Sequence, residues 1–321
     1  MSLLNRSPEA LRAPGARGEA FEVRPDRERP AARFSYGESG RAARQAWPRL
    51  FRTCANTGCL TGRLHFWRSP TAPVFEEGWN CSAECTEARV AAAVRREMGG
   101  RGSVGDNHRH RIPLGLLMLE QGWITAGQLR QALHTQRETG GGRLGNWLVR
   151  RQGVSEQLVT RALSLQWSCP VLPAESHDAQ TLTALVPRLF IDAFGALPLR
   201  VAAGKLLYLG FEDRLDPVLA LAVERMTGLR VECGIVQGSH FRLAHSRTLD
   251  ASFPPAELIE AASGPELVDA LAKAIEHARP VESRLARVHD CFWLRLWQSA
   301  QRGSQLESNA IQDVICSLGA Q

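Results

Sequence analysis

Four cysteines close together are the residues whose chemistry is easiest to name. CANTGC at 54–59 and CSAEC at 81–85 give the spacing C-x4-C-x21-C-x3-C. Two such pairs of thiolates can close a tetrahedral shell around zinc, although C-x2-C pairs are the commoner arrangement. Cys81 and Cys85 stand at i and i+4 where the helical stretch TEARVAAAVRRE begins. Both sulfurs therefore share one helix face, at the end where the helix dipole favours thiolate. A turn at Gly58 brings in Cys54 and Cys59. These four cysteines are the expected ligands of a structural zinc site, because four thiolates leave no open position for a substrate. So short a segment lacks the apolar content for a core of its own, and a metal would supply the missing stability. His65 lies between the pairs and reads as a surface or core residue. Cys169, Cys233, Cys291 and Cys316 are scattered among apolar neighbours and read as core.

A second pattern is a repeat. PLGLLMLEQGWITAGQLRQALHTQ (113–136) matches RLGNWLVRRQGVSEQLVTRALSLQ (143–166), with Gly115 and Gly145, and Gln136 and Gln166, 30 residues apart. Each copy reads as helix, tight turn, helix. Thr125 and Ser155 stand at N-cap positions, Thr125 with Gln128 predicts a capping box, and Ile124 with Leu129, or Val154 with Val159, predicts a hydrophobic staple. The apolar positions suit two packed hairpins. Packing alone gives no reason for Leu-Gly at both starts and Gln at both ends. A glycine at a helix start lets a ligand approach backbone N–H groups, and such a start attracts phosphate. Two copies suit a ligand with two halves.

These motifs resemble the MshEN family, the amino-terminal domain of type II secretion and type IV pilus ATPases, whose tandem 24-residue motifs run RLG, two apolar residues, G, Leu, Leu and a final Gln. The resemblance covers residues 111 to 240 and includes the exit QWSCPVL (166–172). It implies binding of cyclic di-GMP, one guanylate half per motif. By position it assigns Leu114, Gly115, Met118, Leu119 and Gln136 in the first copy, and Arg143, Leu144, Gly145, Leu148, Val149 and Gln166 in the second. Arginine suits such a site because its planar guanidinium stacks on a base or forks onto a phosphate. Two positions depart from the family pattern: Pro113 replaces the first arginine, with Arg111 as a nearby substitute, and Gln152 replaces a glycine that comes one place late as Gly153. The resemblance also implies protein partners in secretion or pilus machinery.

Six segments are expected to carry these motifs. Residues 1–45 read as a disordered basic tail, rich in Arg, Pro, Ala, Gly and Glu without apolar periodicity. Residues 46–98 hold the zinc-binding-like segment and 99–110 a Gly-rich linker. The repeat subdomain spans 111–175, and a small αββαβ lobe spans 176–250. In that lobe LVPRLFIDAF is helical, the AAGK turn joins two strands, and Asp216, Pro217 and Gly228 bracket the next helix. Residues 251–321 form a helix plus strand extension, with Trp293 and Trp297 on a strand face that covers another domain or a partner. The fold class is α+β.

Composition and motifs limit the functions. The net charge is +6, and residues 1–111 hold 19 Arg against 12 acidic groups. Arginine outnumbers lysine throughout, with lysine only at 205 and 273, so a composition bias explains the balance without a nucleic-acid partner. No G-x-x-x-x-G-K-[ST], H-E-x-x-H or G-x-S-x-G occurs, which argues against an enzyme. His108 and His110 fall in the linker. No apolar run long enough for a membrane span and no secretory signal is present, so the cytoplasm is the expected location. The reading is a non-catalytic regulator or adaptor that responds to cyclic di-GMP. The alternative is a zinc-containing scaffold for protein or nucleic acid with a degenerate nucleotide site.

Overall fold

Thr125 opens the clearest local structure in the repeat. Its Oγ1 accepts from Gln128 N–H at 3.2 Å, while Gln128 Oε1 accepts from Thr125 N–H at 2.8 Å, the reciprocal capping box that the sequence predicts. The structure is a computed structural model that describes residues 53–59, 73–99, 111–174, 179–299 and 310–319. The basic tail, the linker histidines and His65 lie outside the described residues. Those described fall in the unit running from Leu50 to Gln321.

The first repeat copy forms α2 (Leu114–Glu120) and α3 (Ala126–Glu138), the second α4 (Leu144–Gln152) and α5 (Glu156–Trp167), all following α1 (Ala83–Gly99). Ser155 is the N-cap of α5, but its side chain makes no capping bond. Both staple pairs are buried in one cluster with Met118, Ala132, Leu148 and Ala162.

The two copies interlock: α2 packs on α5 and α3 on α4. A Cβ on Gly115 would lie 2.5 Å from Leu129 Cδ1 and 3.1 Å from Leu144 Cδ2. On Gly145 it would lie 2.7 Å from Val159 Cγ1 and 3.7 Å from Leu114 Cδ2. These neighbours occupy equivalent positions of the repeat. The terminal glutamines obey the same symmetry. Gln136 Nε2 donates to the carbonyl of Gly142, just before the second copy, and Gln166 Nε2 donates to that of Ile112, just before the first, at 2.7 Å. The expectation that packing gives no reason for the repeated Leu-Gly and Gln is therefore corrected. The glycines allow close helix approach, and each glutamine ties the end of one copy to the start of the other.

The next region contains α6 (Ala179–Leu182), α7 (Arg188–Phe194), β3 (Ala196–Ala202), β4 (Leu206–Phe211), α8 (Pro217–Thr227), β5 (Arg230–Ile235) and α9 (Gly238–Leu249). β3 and β4 pair antiparallel, and β5 pairs parallel to β4 after the α8 crossover. Asp216 Oδ1 accepts from Val218 and Leu219 N–H at 3.0 Å, Pro217 follows it, and Gly228 ends α8 at φ 71°. The αββαβ order is present, and α9, which the sequence reading passed over, extends it.

Residues beyond 250 hold more than a helix and a strand. β6 (Ala256–Ala261), α10 (Gly264–Ala278), β7 (Glu282–Val288), β8 (Cys291–Trp297) and β9 (Ile311–Leu318) build a four-stranded sheet in the order β6-β9-β8-β7. One face, with Leu285, Phe292, Leu294, Leu296, Val314 and Cys316, lies under α10 and α1. The other, with Ala286, Val288, Trp293 and Ile315, packs on α7 and α8. Trp293 thus covers another part of the fold, as the alternation of its strand suggested. The cysteine segment joins this core: β1 (Val74–Phe75) and β2 (Gly78–Trp79) form a hairpin, and Phe75, Val90, Ala93 and Val94 are buried with the sheet. Burying Phe75 or Val90 contributes about 1.5–3 kcal/mol each, a source of stability that the segment's own sequence conceals.

Candidate functional site

The start of α4 and the end of α5 meet the loop after β4, Glu212-Asp213-Arg214, around a cleft of about 620 Å³. Of the residues singled out from the sequence, Leu114, Arg143, Leu144, Gly145, Val149 and Gln166 line it, and so does Arg111. Gly115, Leu119 and Gln136 do not line this cleft, and Met118 and Leu148 are wholly buried in the hairpin core. Of the repeat residues lining the cleft, the second copy supplies most and the first copy Leu114.

Arg143 precedes α4 in an extended conformation and projects from it, its side chain 53% exposed. Its Nη1 lies 2.7 Å from Glu212 Oε2 and its Nε 2.9 Å from Asp213 Oδ2. Burial pushes the Asp213 carboxyl above the usual range; Arg143 pulls it down and Glu212 pushes it up again. Glu212 also pairs with Arg242 of α9. The result is an alternating chain of charges that joins the repeat to the α/β region.

Glu156, at the first turn of α5, reaches the amino end of α9. It accepts from Ser239 N–H at 2.8 Å, from Ser239 Oγ at 2.6 Å and from Gln237 Nε2 at 3.0 Å. Burial opposes its ionisation, but the bonds from Ser239 and Gln237, with Arg242, outweigh it and lower the pKa. Gly238 makes room for this: a Cβ there would lie 2.9 Å from Glu212 Oε1 and 3.0 Å from Glu156 Oε1. A side-chain anion thus occupies a helix start of the kind that binds phosphate.

Arg111 sits over Trp167, its guanidinium carbon 3.3 Å from the ring centroid, and Trp167 Nε1 donates to the Asp213 carbonyl at 2.9 Å. Arg111 Nη1 is buried without a hydrogen-bond partner among the described residues. Desolvation lowers its pKa, and the Arg214 charge adds to the effect. A cation held on an aromatic plane with an unused N–H suits a planar or anionic ligand. Sequence reasoning named Arg111 only as a substitute and missed Trp167, Glu156, Glu212, Asp213 and Arg242. The charged triplet after β4 was the visible signal for the carboxylates.

The sulfurs of Cys54, Cys59, Cys81 and Cys85 all lie within 4.8 Å of one another. Cys59 to Cys81 is 3.5 Å and Cys81 to Cys85 3.6 Å, too long for disulfides at about 2.05 Å. The other cysteines differ in kind. Burial pushes Cys169 up to about 11, Cys233 to about 12 and Cys316 to about 11, so they stay protonated thiols at neutral pH. Among the described residues no helix is long and apolar enough to cross a membrane.

No family model matches the chain. Over 138 residues it is 34% identical to bacteriophage adsorption protein B of Escherichia coli strain K12 and to bacteriophage N4 adsorption protein B of Escherichia coli O157:H7. Each match covers 42% of this chain and 18% of the relative, so the chain spans under a fifth of the length of these curated relatives. Among solved structures, part of the chain is similar to MshE in its structure with cdg, at 26% identity and a TM-score of 0.36, over 43% of this chain and 99% of that one. It is also similar to the N-terminal domain of XpsE, at 21% identity and a TM-score of 0.32, over 42% of this chain and 92% of that one.

Proposed function

We propose that this chain is a non-catalytic regulator or adaptor that responds to cyclic di-GMP and acts on secretion, pilus or related envelope machinery. The observation that carries the reading is the cleft beside Gly145, where the exposed Arg143 and the stacked Arg111 converge with Leu144, Val149 and Gln166. Arg111 on Trp167 offers a flat cationic surface for a guanine, and Arg143 a fork for a phosphate. In the free chain Glu212 and Asp213 hold Arg143, so a bound phosphate would take their place and release the loop that leads into α8. That exchange is the differential contact through which occupancy reaches the rest of the fold. This reading requires a cytoplasmic ligand and no catalytic group. The relatives named for bacteriophage adsorption widen the machines that it covers.

A second reading has one observation in its favour. Glu156, Glu212 and Asp213 all line the cleft, and with Pro113 in the first copy they suit a degenerate nucleotide site on a zinc-containing scaffold for protein or nucleic acid. Calorimetry of the full chain with cyclic di-GMP separates the two. Saturable heat at micromolar ligand, lost in Arg143→Ala, supports the regulator; no heat at high micromolar ligand refutes it. A salt-sensitive shift of DNA in a gel would then favour the scaffold.

A further inference from the structure

The loop 53–59 packs against β2 and the start of α1. Ala55 N–H donates to the Trp79 carbonyl at 2.8 Å, Asn56 Nδ2 donates to Cys85 Sγ at 3.3 Å, and Cys54 is buried beside Trp79 and Cys85. The loop is itself tightly folded. Asn56 Oδ1 accepts from Gly58 N–H at 3.0 Å and the Asn56 carbonyl accepts from Cys59 N–H at 3.2 Å. This turn aims two sulfurs at those of Cys85, in the first turn of α1, and Cys81, just before that helix. Four uncharged thiols gain little from converging in this way, since S–H is a weak donor and S a weak acceptor, too weak to fix a geometry. A tetrahedral ion with bonds near 2.3 Å places its sulfurs about 3.8 Å apart. The distances of 3.5 and 3.6 Å, and the 4.8 Å limit for all pairs, match that spacing.

The surroundings also suit a charged centre. Cys85 is in the first turn of α1, where the backbone dipole favours negative charge. Arg89, one turn further along the same face, donates to the Gly78 carbonyl at 2.8 Å and to Asn80 Oδ1 at 3.1 Å. The amide of Asn56 on Cys85 is the outer bond that orients a ligating thiolate.

We propose that Cys54, Cys59, Cys81 and Cys85 bind one zinc ion, and that this ion clamps the loop 53–59 and the β1–β2 hairpin onto the edge of the four-stranded sheet. The hairpin lies between the two ligand pairs in sequence. It meets the edge strand β7 through Glu76 N–H on the Ser283 carbonyl at 2.8 Å, Ser283 Oγ on the Val74 carbonyl at 2.8 Å, and Val74 N–H on the Pro280 carbonyl at 3.2 Å. With its two sides pinned by zinc, this short hairpin covers β7, whose unpaired edge would otherwise invite association with another chain. The inference does not depend on cyclic di-GMP.

The test is elemental analysis of the purified full chain, with hydrogen exchange before and after metal removal. About one zinc per chain is expected, released when a mercurial blocks the thiols. Cobalt substitution should give thiolate charge-transfer bands. Metal removal should deprotect 53–59, 74–79 and 282–288 and leave 114–167 unchanged. Cys81→Ser with Cys85→Ser should lose the metal, and Cys169→Ser should keep it. If the double variant does not fold, Cys59→His, which retains four ligands, should still hold zinc. A native chain with clearly less than one zinc, a chain loaded with iron instead, or an exchange pattern indifferent to metal removal would each overturn the proposal.

Discussion

Arg143 and Arg295 make the same chemical pairing in two different settings. Both hold carboxylates, Arg143 those of Glu212 and Asp213, Arg295 that of Asp313 through Nε at 2.7 Å and Nη2 at 2.8 Å. Arg143 is 53% exposed at a cleft, whereas Arg295 and Asp313 are each 1% exposed between the C-terminal sheet and the α/β region. Arg295 also donates to the carbonyl of Ala184 at 2.7 Å, and Trp293 Nε1 shares Asp313 Oδ1 at 2.8 Å. Sealed from water and with its donors used, the Arg295 pair has nothing to exchange with and acts as a pin. At the cleft, water competes for the exposed Arg143, so its pairing is weak and reversible. Burial, and not the ion pair itself, decides which arginine is structural.

The sharpest break of this contrast is at the pin. Asp313→Ala should cost about 3–5 kcal/mol in urea unfolding, because it leaves a buried guanidinium unpaired. Replacing both partners, Arg295→Met with Asp313→Leu, should cost clearly less. Next in size, Gly115→Val and Gly145→Val should each cost about 1–3 kcal/mol by overpacking the interlocked hairpins. Similar losses would confirm that both copies pack alike, although the cleft is lined mostly by the second. Gln136→Ala and Gln166→Ala should follow at about 0.5–1.5 kcal/mol, the net worth of one hydrogen bond. Arg143→Ala should change stability by less than about 1 kcal/mol and yet weaken cyclic di-GMP about tenfold or more, roughly 1.4 kcal/mol; a large stability loss would make it a pin like Arg295.

The smallest effect is in pH. Asp213 has a raised carboxyl pKa in the fold, mainly through burial. The folded state therefore binds this proton more tightly than the unfolded chain, which adds stability below the ordinary aspartate value. That increment is lost as pH rises through the raised value. Asp213→Asn should remove this dependence. It should also flatten the ligand's expected tightening toward acid pH, where a protonated Asp213 releases Arg143.

Some of this was legible in local residue order. Thr125 and Gln128 spelled a capping box, Asp216-Pro217 and Gly228 the limits of α8, and the 30-residue repeat two equivalent hairpins. β6 was missed because most of AELIEA is exposed at a sheet edge, so no alternation marks it. β9 was missed because it is buried on both sides and shows the same lack of period. For the cleft, the repeat pointed to Arg143, Gly145 and Gln166, but part of its motif, Met118 and Leu148, is core. Helical spacing brings core and surface positions close together in sequence, and only packing separates them.

By itself the sequence determined the paired hairpins, the α+β class and the convergence of four cysteines, since each follows from short-range spacing and backbone preference. Only the tertiary structure decided that the cysteine segment shares a core with a sheet some 200 residues away, that Glu212 and Asp213 occupy Arg143, and that Arg295 is sealed. Those outcomes depend on which surfaces exclude water when distant segments meet, a property that no single stretch of chain carries.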